Sequence, residues 1–477
     1  MLTYIYEQHH TDRIISCTGE NIMEEIRHIE IETAPGTIIG NCTDEYREFL
    51  GIPYAKAERF RYAVPVDRFA GKLDATSYGN ACPQYRMYFP QLDNPERLFY
   101  YREFREGISF HYDEDCLNLN IYTPAEPVNC PVIVFIHGGG FNSGCNQEEP
   151  FRGYEFAKRG IITVFINYRT GIFGYLTHEE IQNEYGRNGN FGLDDQLTAI
   201  RWVKQHIADF GGDPDNITLA GQSAGAISIQ YLCLDHHNEG LFQRVLMMSG
   251  AGLFPKFALP RPAAQTQEYW LELMKRAGCT DLDELRALPV KDLLTAVQEL
   301  KQERNDTLYN TMPVIDGHLI KGPVDQLIKN PLKTGYMLGY TNNDMYAPVM
   351  AFIGNQFGTK NNAYIYYFDL DAPGDSNGAF HSSDLRYMFG RLSSSWRPYT
   401  VRDYEVSRQL IDYASAYAAT GNPNGPFRPQ WLPCSKGKTK ILCFGKERTS
   451  MGTPSVLKLC SNMINKGDPK AKIKEVQ

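Results

Sequence analysis

A serine between two glycines is the residue set in this chain with the clearest capacity for chemistry. An apolar, β-branched run at 216–220 leads into Gly221-Gln222-Ser223-Ala224-Gly225. The pattern predicts a tight strand-to-helix turn that lifts the Ser223 hydroxyl clear of a sheet, as a nucleophile requires. Glycines on either side leave room where strand and helix cross. Five-residue matches also occur in ordinary Gly-rich turns, so the rest of the chain must supply the catalytic partners.

A run of three glycines upstream could stabilise an oxyanion. His137-Gly138-Gly139-Gly140-Phe141 directly follows the apolar run 132–136. Without Cβ atoms, a backbone can turn its N–H groups toward a bound ester, and one such donor contributes about 3–4 kcal/mol to transition-state stabilisation. A Gly-rich surface loop is the alternative, and the buried strand predicted just before it disfavours that interpretation.

The base and the acid should follow later strands, because this arrangement requires the order Ser, acid, His. His381 comes shortly after the Tyr-rich run 363–368, whereas most other histidines lie in pairs or in polar surroundings. Asp344 follows the apolar run 335–340 and is the candidate acid. Three other aspartates between strand and histidine remain rivals by position: Asp369, Asp371 and Asp375.

Apolar runs alternating with helical patterns predict the scaffold for these residues. Continuous apolar runs at 132–136, 161–168 and 245–250 are typical of strands buried on both faces of a parallel sheet. Helical periodicity over 194–210 lies between two of them, which favours a doubly wound α/β sheet. The segment 255–330 reads as amphipathic helices, which we interpret as a cap inserted into one catalytic domain spanning 29–465. Residues 1–28 form an N-terminal extension and 466–477 a polar tail.

Composition excludes several other classes of function. The net charge of -8 without blocks of like charge disfavours nucleic-acid binding. No apolar run is long enough to span a membrane, and the N-terminus lacks a signal-peptide pattern, so we expect a cytoplasmic protein. The eleven cysteines form no CxxC pair and read mostly as buried reduced thiols. We expect no metal, no cofactor, and a monomer or small homo-oligomer.

Taken together, the segments resemble the type-B carboxylesterase family, the relatives of cholinesterases, which have the α/β-hydrolase fold. The resemblance runs from about Ile29 to Phe444. Besides the stretches above, it rests on these segments: Gly51-Ile52-Pro53-Tyr54-Ala55, Glu114-Asp115-Cys116-Leu117-Asn118-Leu119-Asn120, Asn167-Tyr168-Arg169, Gly189-Asn190-Phe191-Gly192-Leu193-Asp194-Asp195-Gln196, Gly211-Gly212-Asp213-Pro214, Pro313-Val314-Ile315-Asp316-Gly317, Gly378-Ala379-Phe380-His381 and Thr420-Gly421-Asn422-Pro423-Asn424.

The resemblance implies a serine carboxylic-ester hydrolase that works through an acyl-enzyme. Ser223 would be the nucleophile, His381 the base and Asp344 the acid. The N–H groups of Gly139, Gly140 and Ala224 would form the oxyanion hole. The same chemistry on a thioester, carbamate, lactone or amide is the alternative. A non-catalytic adhesion-type relative is disfavoured, because the serine, histidine, acid and glycines are all present.

The chain departs from the family pattern at the site itself. Gln222 and Asp344 each replace the usual Glu, and Ser382 replaces the usual Gly after the histidine. Asp344 and His381 are only 37 positions apart, which predicts a shortened wall and a more open site.

An aromatic-rich segment between Cys82 and Cys116 lies where secreted relatives close a disulfide loop, and whether these two thiols are bridged stays open. Its rings favour apolar or aromatic esters of small to medium size, or else they pack on one another. The predicted substrate contacts are Phe141, Gln222, Tyr88 and Phe89.

Overall fold

A mostly parallel sheet of thirteen strands runs through the part of the chain that the computed structural model describes, residues 26–87, 90, 92–253, 259–304, 311–344, 363–434 and 440–452. The strands in chain order are β1 (Arg27–Thr33), β2 (Gly36–Cys42), β3 (Tyr46–Pro53), β4 (Ala55–Lys56), β5 (Val64–Pro65), β6 (Leu73–Asp74), β7 (Asn118–Pro124), β8 (Cys130–Ile136), β9 (Ile162–Ile166), β10 (Gly212–Gln222), β11 (Arg244–Met248), β12 (Arg261–Pro262), β13 (Val314–Ile315), β14 (Gly335–Thr341), β15 (Tyr364–Asp369), β16 (Ile441–Gly445) and β17 (Thr449–Gly452).

The spatial order of the main sheet is β1-β2-β3-β7-β9-β8-β10-β11-β14-β15-β16-β17, with β6 beside β2. The strands from β9 across to β16 pair in parallel, and both ends of the sheet are antiparallel. The first hairpin joins β1 and β2 around Gly36. Parallel neighbours need crossover connections, which the helices provide.

Twelve α-helices are present in the described ranges. They are α1 (Pro95–Phe104), α2 (Tyr154–Ala157), α3 (Gly171–Tyr175), α4 (Glu179–Tyr185), α5 (Phe191–His206), α6 (Ala224–Cys233), α7 (Gln267–Ala277), α8 (Leu282–Ala287), α9 (Val290–Arg304), α10 (Val324–Leu327), α11 (Asp384–Met388) and α12 (Val401–Thr420). No helix in these ranges combines the length and the apolar character needed to cross a membrane.

The central strands separate two hydrophobic cores, one on each face of the sheet. In β8, Val132 and Val134 join one core, while Ile133 and Phe135 join the other. The alternation follows from the two-residue period of a strand. Helices α5 and α6 cover the first face, and α11 and α12 cover the second. This explains why the predicted strands read as continuous apolar runs.

The predicted helical cap lies between two strands that are neighbours in the sheet. Helices α7, α8 and α9 follow β11, and the chain then returns to β14, which pairs with β11 in parallel. The three amphipathic patterns therefore correspond to real helices, while the domain division itself stays a prediction. The extension 1–28 and the tail 466–477 fall almost wholly outside the described residues.

One helix was not expected from the sequence. The aromatic-rich segment after Cys82, whose apolar residues show no helical period, contains α1. The side chain of Asn94 accepts from the N–H groups of Glu96 and Arg97, and Pro95 occupies the first helical position. An Asn cap followed by Pro is a helix-start signal that could have revealed it.

Candidate active site

The nucleophile elbow, residues 221–225, lies where β10 ends and α6 begins. Ser223 has φ 55° and ψ −121°, a strained conformation for a residue with a side chain. Its N–H donates to the Met248 carbonyl at 2.9 Å, and its own carbonyl accepts from Ile227 at 3.0 Å. The fold therefore holds the serine in the geometry that the Gly-x-Ser-x-Gly pattern predicts.

Both elbow glycines are sterically required. A Cβ on Gly225 would lie 2.0 Å from the Ile136 carbonyl oxygen, and one on Gly221 would lie 2.7 Å from the Gly225 carbonyl carbon. The crossing of β8, β10 and α6 is too close for any larger residue. This explains the residue types on either side of Ser223 in terms of backbone approach.

The oxyanion loop, residues 137–141, leaves the carboxyl end of β8 beside the elbow. A Cβ on Gly138 would lie 3.0 Å from the Cβ of Ser223. Gly139 and Gly140 have φ values of 110° and 61°, which favour glycine. Among the described residues, neither of their N–H groups has a hydrogen-bond acceptor, whereas their carbonyls accept from Asn142 at 3.1 and 2.7 Å. Two free donors therefore remain next to Ser223.

A third donor comes from the start of α6. Ala224 is the first residue of that helix, so its N–H has no carbonyl one turn earlier to bond. It stands directly after the serine, at the positive end of the helix dipole. Ala224 is thus a further backbone donor beside Ser223, and the oxyanion hole of Gly139, Gly140 and Ala224 stays a prediction.

The first residue of the oxyanion loop is a structural histidine. His137 Nδ1 lies 2.9 Å from the Gly138 carbonyl oxygen, and its ring stacks on Tyr168 with centroids 4.4 Å apart. Burial lowers the pKa of His137 to about 4, so the ring is neutral near pH 7. His137 holds the loop and does not compete with His381 as a base.

Phe141 is a buried residue of the oxyanion loop. Its side chain has no exposed surface, and its ring packs edge-on against Tyr175 at 5.4 Å. Its carbonyl accepts from Gly171 at 2.7 Å. These contacts fix the oxyanion loop to the core, and the substrate contact of Phe141 stays a prediction. The two other predicted aromatic contacts, Tyr88 and Phe89, lie outside the described residues.

The predicted acid and base are brought into contact. His381 Nδ1 lies 3.2 Å from Asp344 Oδ1. The Asp344 side chain is fully buried, while the imidazole is 28% exposed and faces the site. A buried carboxylate on Nδ1 orients the ring and leaves Nε2 available as the base. That Nε2 lies 3.2 Å from the side-chain nitrogen of Gln222, the residue next to Ser223.

The two loops that carry this pair are joined through their backbones. Asp344 belongs to the acid loop, residues 342–344 after β14, and His381 belongs to the histidine loop, residues 370–383 after β15. The N–H of Asn343 donates to the Ala379 carbonyl at 2.9 Å, and that of Asn342 to Phe368 at 2.8 Å. This parallel continuation of neighbouring strands is why residues far apart in sequence meet at one sheet edge.

The rival aspartates have other surroundings. Asp375 Oδ2 accepts from Arg397 at 2.7 Å. Burial raises the pKa of Asp375, but the hydrogen bonds from Arg397 and Asn377 and the Arg397 charge together outweigh it, so the pKa is lowered. Asp371 is half-exposed and lies 3.4 Å from Lys446. Asp369 is part of β15 itself. The observed contact with His381 favours Asp344.

A second buried carboxyl, which the sequence reasoning missed, lies near the pair. Asp384 begins α11, is fully buried, and accepts from the Tyr366 hydroxyl at 2.7 Å. Burial raises the pKa of Asp384 to about 6, opposed by the Tyr366 hydrogen bond and reinforced by the nearby charge of Asp344. The His-x-x-Asp spacing was the available sequence signal.

Helix α1 lies beside the histidine loop and carries part of the aromatic segment. The Phe99 ring packs edge-on against Phe380, next to His381, with centroids 4.9 Å apart. Burial raises the pKa of Tyr100, and the charges of Glu96 and Asp344 add to the effect.

The rings of Phe110 and Tyr112, later in the same aromatic segment, instead pack on Arg105. The segment therefore both lines the surroundings of the site and packs on itself.

A buried ion-pair network fixes α1 to the histidine loop. Arg397, with no exposed side-chain surface, binds Glu103 of α1 at 2.9 Å and Asp375 at 2.7 Å. Its guanidinium also lies over the rings of Phe380 and Trp396, at 5.3 and 4.4 Å. The position of His381 thus depends on charges from three separate segments.

Cys82 and Cys116 are both free, buried thiols. They form a hydrogen bond that raises the pKa of Cys116 well above its ordinary value. Within the described ranges, no group of three or more His, Cys, Asp or Glu side chains is arranged to hold a metal ion.

Comparison with known proteins agrees with this geometry. The sequence profile of the Carboxylesterase family matches residues 27–356 and 345–460. Para-nitrobenzyl esterase of Bacillus subtilis (strain 168) is 33% identical over 335 residues, which cover 67% of this chain and 63% of that relative. Bile salt-activated lipase of Mus musculus is 29% identical over 84% of this chain and 80% of that protein. The chain thus spans less than two thirds of the first of these relatives.

Solved structures share the architecture. A PNB esterase structure aligns with a TM-score of 0.75 and 25% identity, over 91% of this chain and 100% of that chain. A thermophilic PNB esterase aligns with a TM-score of 0.76 and 25% identity, over the same shares. The predicted fold and family are confirmed, and the esterase names support the prediction of an enzyme. The chain belongs to the carboxylesterase family and has the α/β-hydrolase fold.

Proposed function

We propose that this protein hydrolyses carboxylic esters through an acyl-enzyme on Ser223. The observation that carries the proposal is the 3.2 Å contact between His381 Nδ1 and the buried Asp344, with Nε2 turned toward the elbow. This arrangement supports general-base catalysis, because the carboxylate fixes the tautomer in which Nε2 accepts a proton.

In the proposed reaction, each of these groups has one role. His381 Nε2 takes the Ser223 proton as the Oγ atom attacks the ester carbonyl. The negative charge that develops on the carbonyl oxygen is stabilised by the N–H groups of Gly139, Gly140 and Ala224. His381 then protonates the departing alcohol, and a water molecule activated by the same imidazole releases the acid and regenerates Ser223.

We further propose small to medium apolar or aromatic esters as the substrates. Phe99 and Tyr100 on α1 place aromatic rings near the histidine loop, which supports an apolar wall. The name of the Bacillus subtilis relative, a para-nitrobenzyl esterase, is in line with an aromatic alcohol group. A cytoplasmic location and a monomeric or small oligomeric state remain predictions.

A hydrolysis series tests the proposal. Wild type and Ser223→Ala should be assayed on p-nitrophenyl esters of increasing acyl length and on para-nitrobenzyl esters. We expect wild-type turnover to exceed that of Ser223→Ala by about 10³-fold or more, since removal of the nucleophile leaves only binding and the oxyanion hole. Equal rates for the two proteins on every ester would refute the catalytic role of Ser223.

A further inference from the structure

The side chain of Gln222 lies between His381 and the oxyanion loop. Its side-chain nitrogen is 3.2 Å from His381 Nε2, the atom that must accept the Ser223 proton. Its side-chain oxygen points to the other side, where a Cβ on Gly138 would lie 2.7 Å away. The carboxamide is buried and therefore spans the space between the oxyanion loop and the imidazole.

The tautomer of His381 determines the direction of this hydrogen bond. An ionised Asp344 can only accept, so Nδ1 carries the proton that faces it. In a neutral ring, Nε2 then has a lone pair and needs a donor. The amide N–H₂ of Gln222 supplies one, and the Glu usual at this family position could not.

We propose that Gln222 is a positioning residue that donates to His381 Nε2 in the resting enzyme and so holds the base neutral, with its lone pair directed at the elbow. The inference rests on the proposed function of His381. The substrate contact of Gln222 stays a separate prediction. When Ser223 is engaged, its hydroxyl takes the place of the amide on the same lone pair.

Other charged and titratable groups also interact with the His381 imidazole, and they limit the shift of the pH profile that a Gln222 variant can cause. Asp344, after β14, bonds Nδ1, and the buried Asp384 on α11 interacts electrostatically with both Asp344 and His381. Tyr366 of β15 bonds Asp384, and Tyr100 of α1 lies near Asp344. These groups are unchanged in variants of Gln222, so differences between such variants report on the amide.

The test compares the acidic limb of the kcat/KM–pH profile in three variants. Gln222→Glu puts a carboxylate against Nε2 and favours the protonated ring, so the limb should move up by about one pH unit, a tenfold change in proton affinity. Gln222→Met keeps the side-chain volume but removes the hydrogen-bond donor. The acidic limb of its profile should therefore move to higher pH by less than that of Gln222→Glu. Gln205→Glu, on the exposed face of α5, adds the same charge elsewhere and should leave the limb in place.

The outcomes separate this inference from the proposed function. A limb unchanged in Gln222→Glu, or a rise in KM with an unchanged limb, would show that Gln222 does not act on the base and would overturn the inference alone. Labelling of Ser223 by a fluorophosphonate, with a melting curve for each variant, checks that the sites are intact. If wild type and Ser223→Ala were equally unlabelled and equally slow, the proposed function and this inference would both be overturned.

Discussion

The active site has two halves that are built in different ways. The backbone half consists of the oxyanion loop and the elbow, where glycines allow β8, β10 and α6 to approach within van der Waals contact. The side-chain half consists of the acid loop and the histidine loop. Backbone hydrogen bonds join these two loops, and the ion pairs of Arg397 hold the histidine loop against α1. The backbone half therefore depends on glycines, which have no side chain. The side-chain half depends on ion pairs between residues from distant segments of the chain.

The difference predicts how each half fails. Adding one carbon atom should disrupt the backbone half, because its close contacts involve main-chain atoms that have no alternative conformation. The side-chain half should tolerate changes in volume but respond to changes in charge. Substitutions that add volume to the backbone half or change a charge in the side-chain half test this difference.

The largest effect is expected at the triad acid. Asp344→Asn removes the charge that orients His381 and stabilises the imidazolium, so kcat should fall by about 10³–10⁴-fold with little change in KM. Asp371→Asn, at a half-exposed position near Lys446, is the matched control and should keep near wild-type activity. Steady-state ester hydrolysis measures kcat and KM for both variants. If Asp375→Asn lost activity by orders of magnitude while Asp344→Asn retained it, Asp344 would not be the acid.

In the backbone half, Gly225→Ala should have the next largest effect on activity. The new Cβ would lie 2.0 Å from the Ile136 carbonyl oxygen, so strand and helix must separate and Ser223 must shift. A displacement of about 1 Å can cost about 10²-fold in rate. Gly322→Ala is the control, because a Cβ there meets nothing within 4 Å. Activity and melting temperature unchanged in Gly225→Ala would contradict the steric account of the elbow.

The contrast also explains what could be predicted from the sequence. Gly138, Gly139 and the elbow glycines are contiguous with apolar runs, so local pattern alone indicated their strands and turns. Helix α1 was missed because its apolar residues do not fall on one face and only its cap, Asn94 and Pro95, marks it. The role of Arg397 was not predictable, since its partners Glu103 and Asp375 come from separate segments. Long-range charge pairing leaves no periodic signal.

Arg397→Met tests the charges of the side-chain half. Breaking a buried ion pair leaves an uncompensated charge and should lower the free energy of unfolding by about 3–5 kcal/mol. Because Phe380 packs under the guanidinium, His381 should also be displaced and kcat should fall more than KM changes. Urea unfolding and ester kinetics measure the two effects. Arg428→Met removes a guanidinium that stacks on Tyr413 of α12 and should lose stability without the kinetic defect.

The smallest effect should be a pH dependence of stability that originates from Asp384. Burial raises the pKa of Asp384 from an ordinary value of 3.8 to about 6, so the folded protein binds this proton more tightly than the unfolded chain. The stabilisation is fully present below about pH 4 and is lost as the pH rises through about 6, a change of roughly 3 kcal/mol. Asp384→Asn cannot titrate and should therefore gain stability relative to wild type between pH 4 and pH 8. Urea unfolding of both proteins across this range gives the difference. A constant difference between them would mean that the pKa of Asp384 is the same in the folded and unfolded protein, and that burial does not raise it.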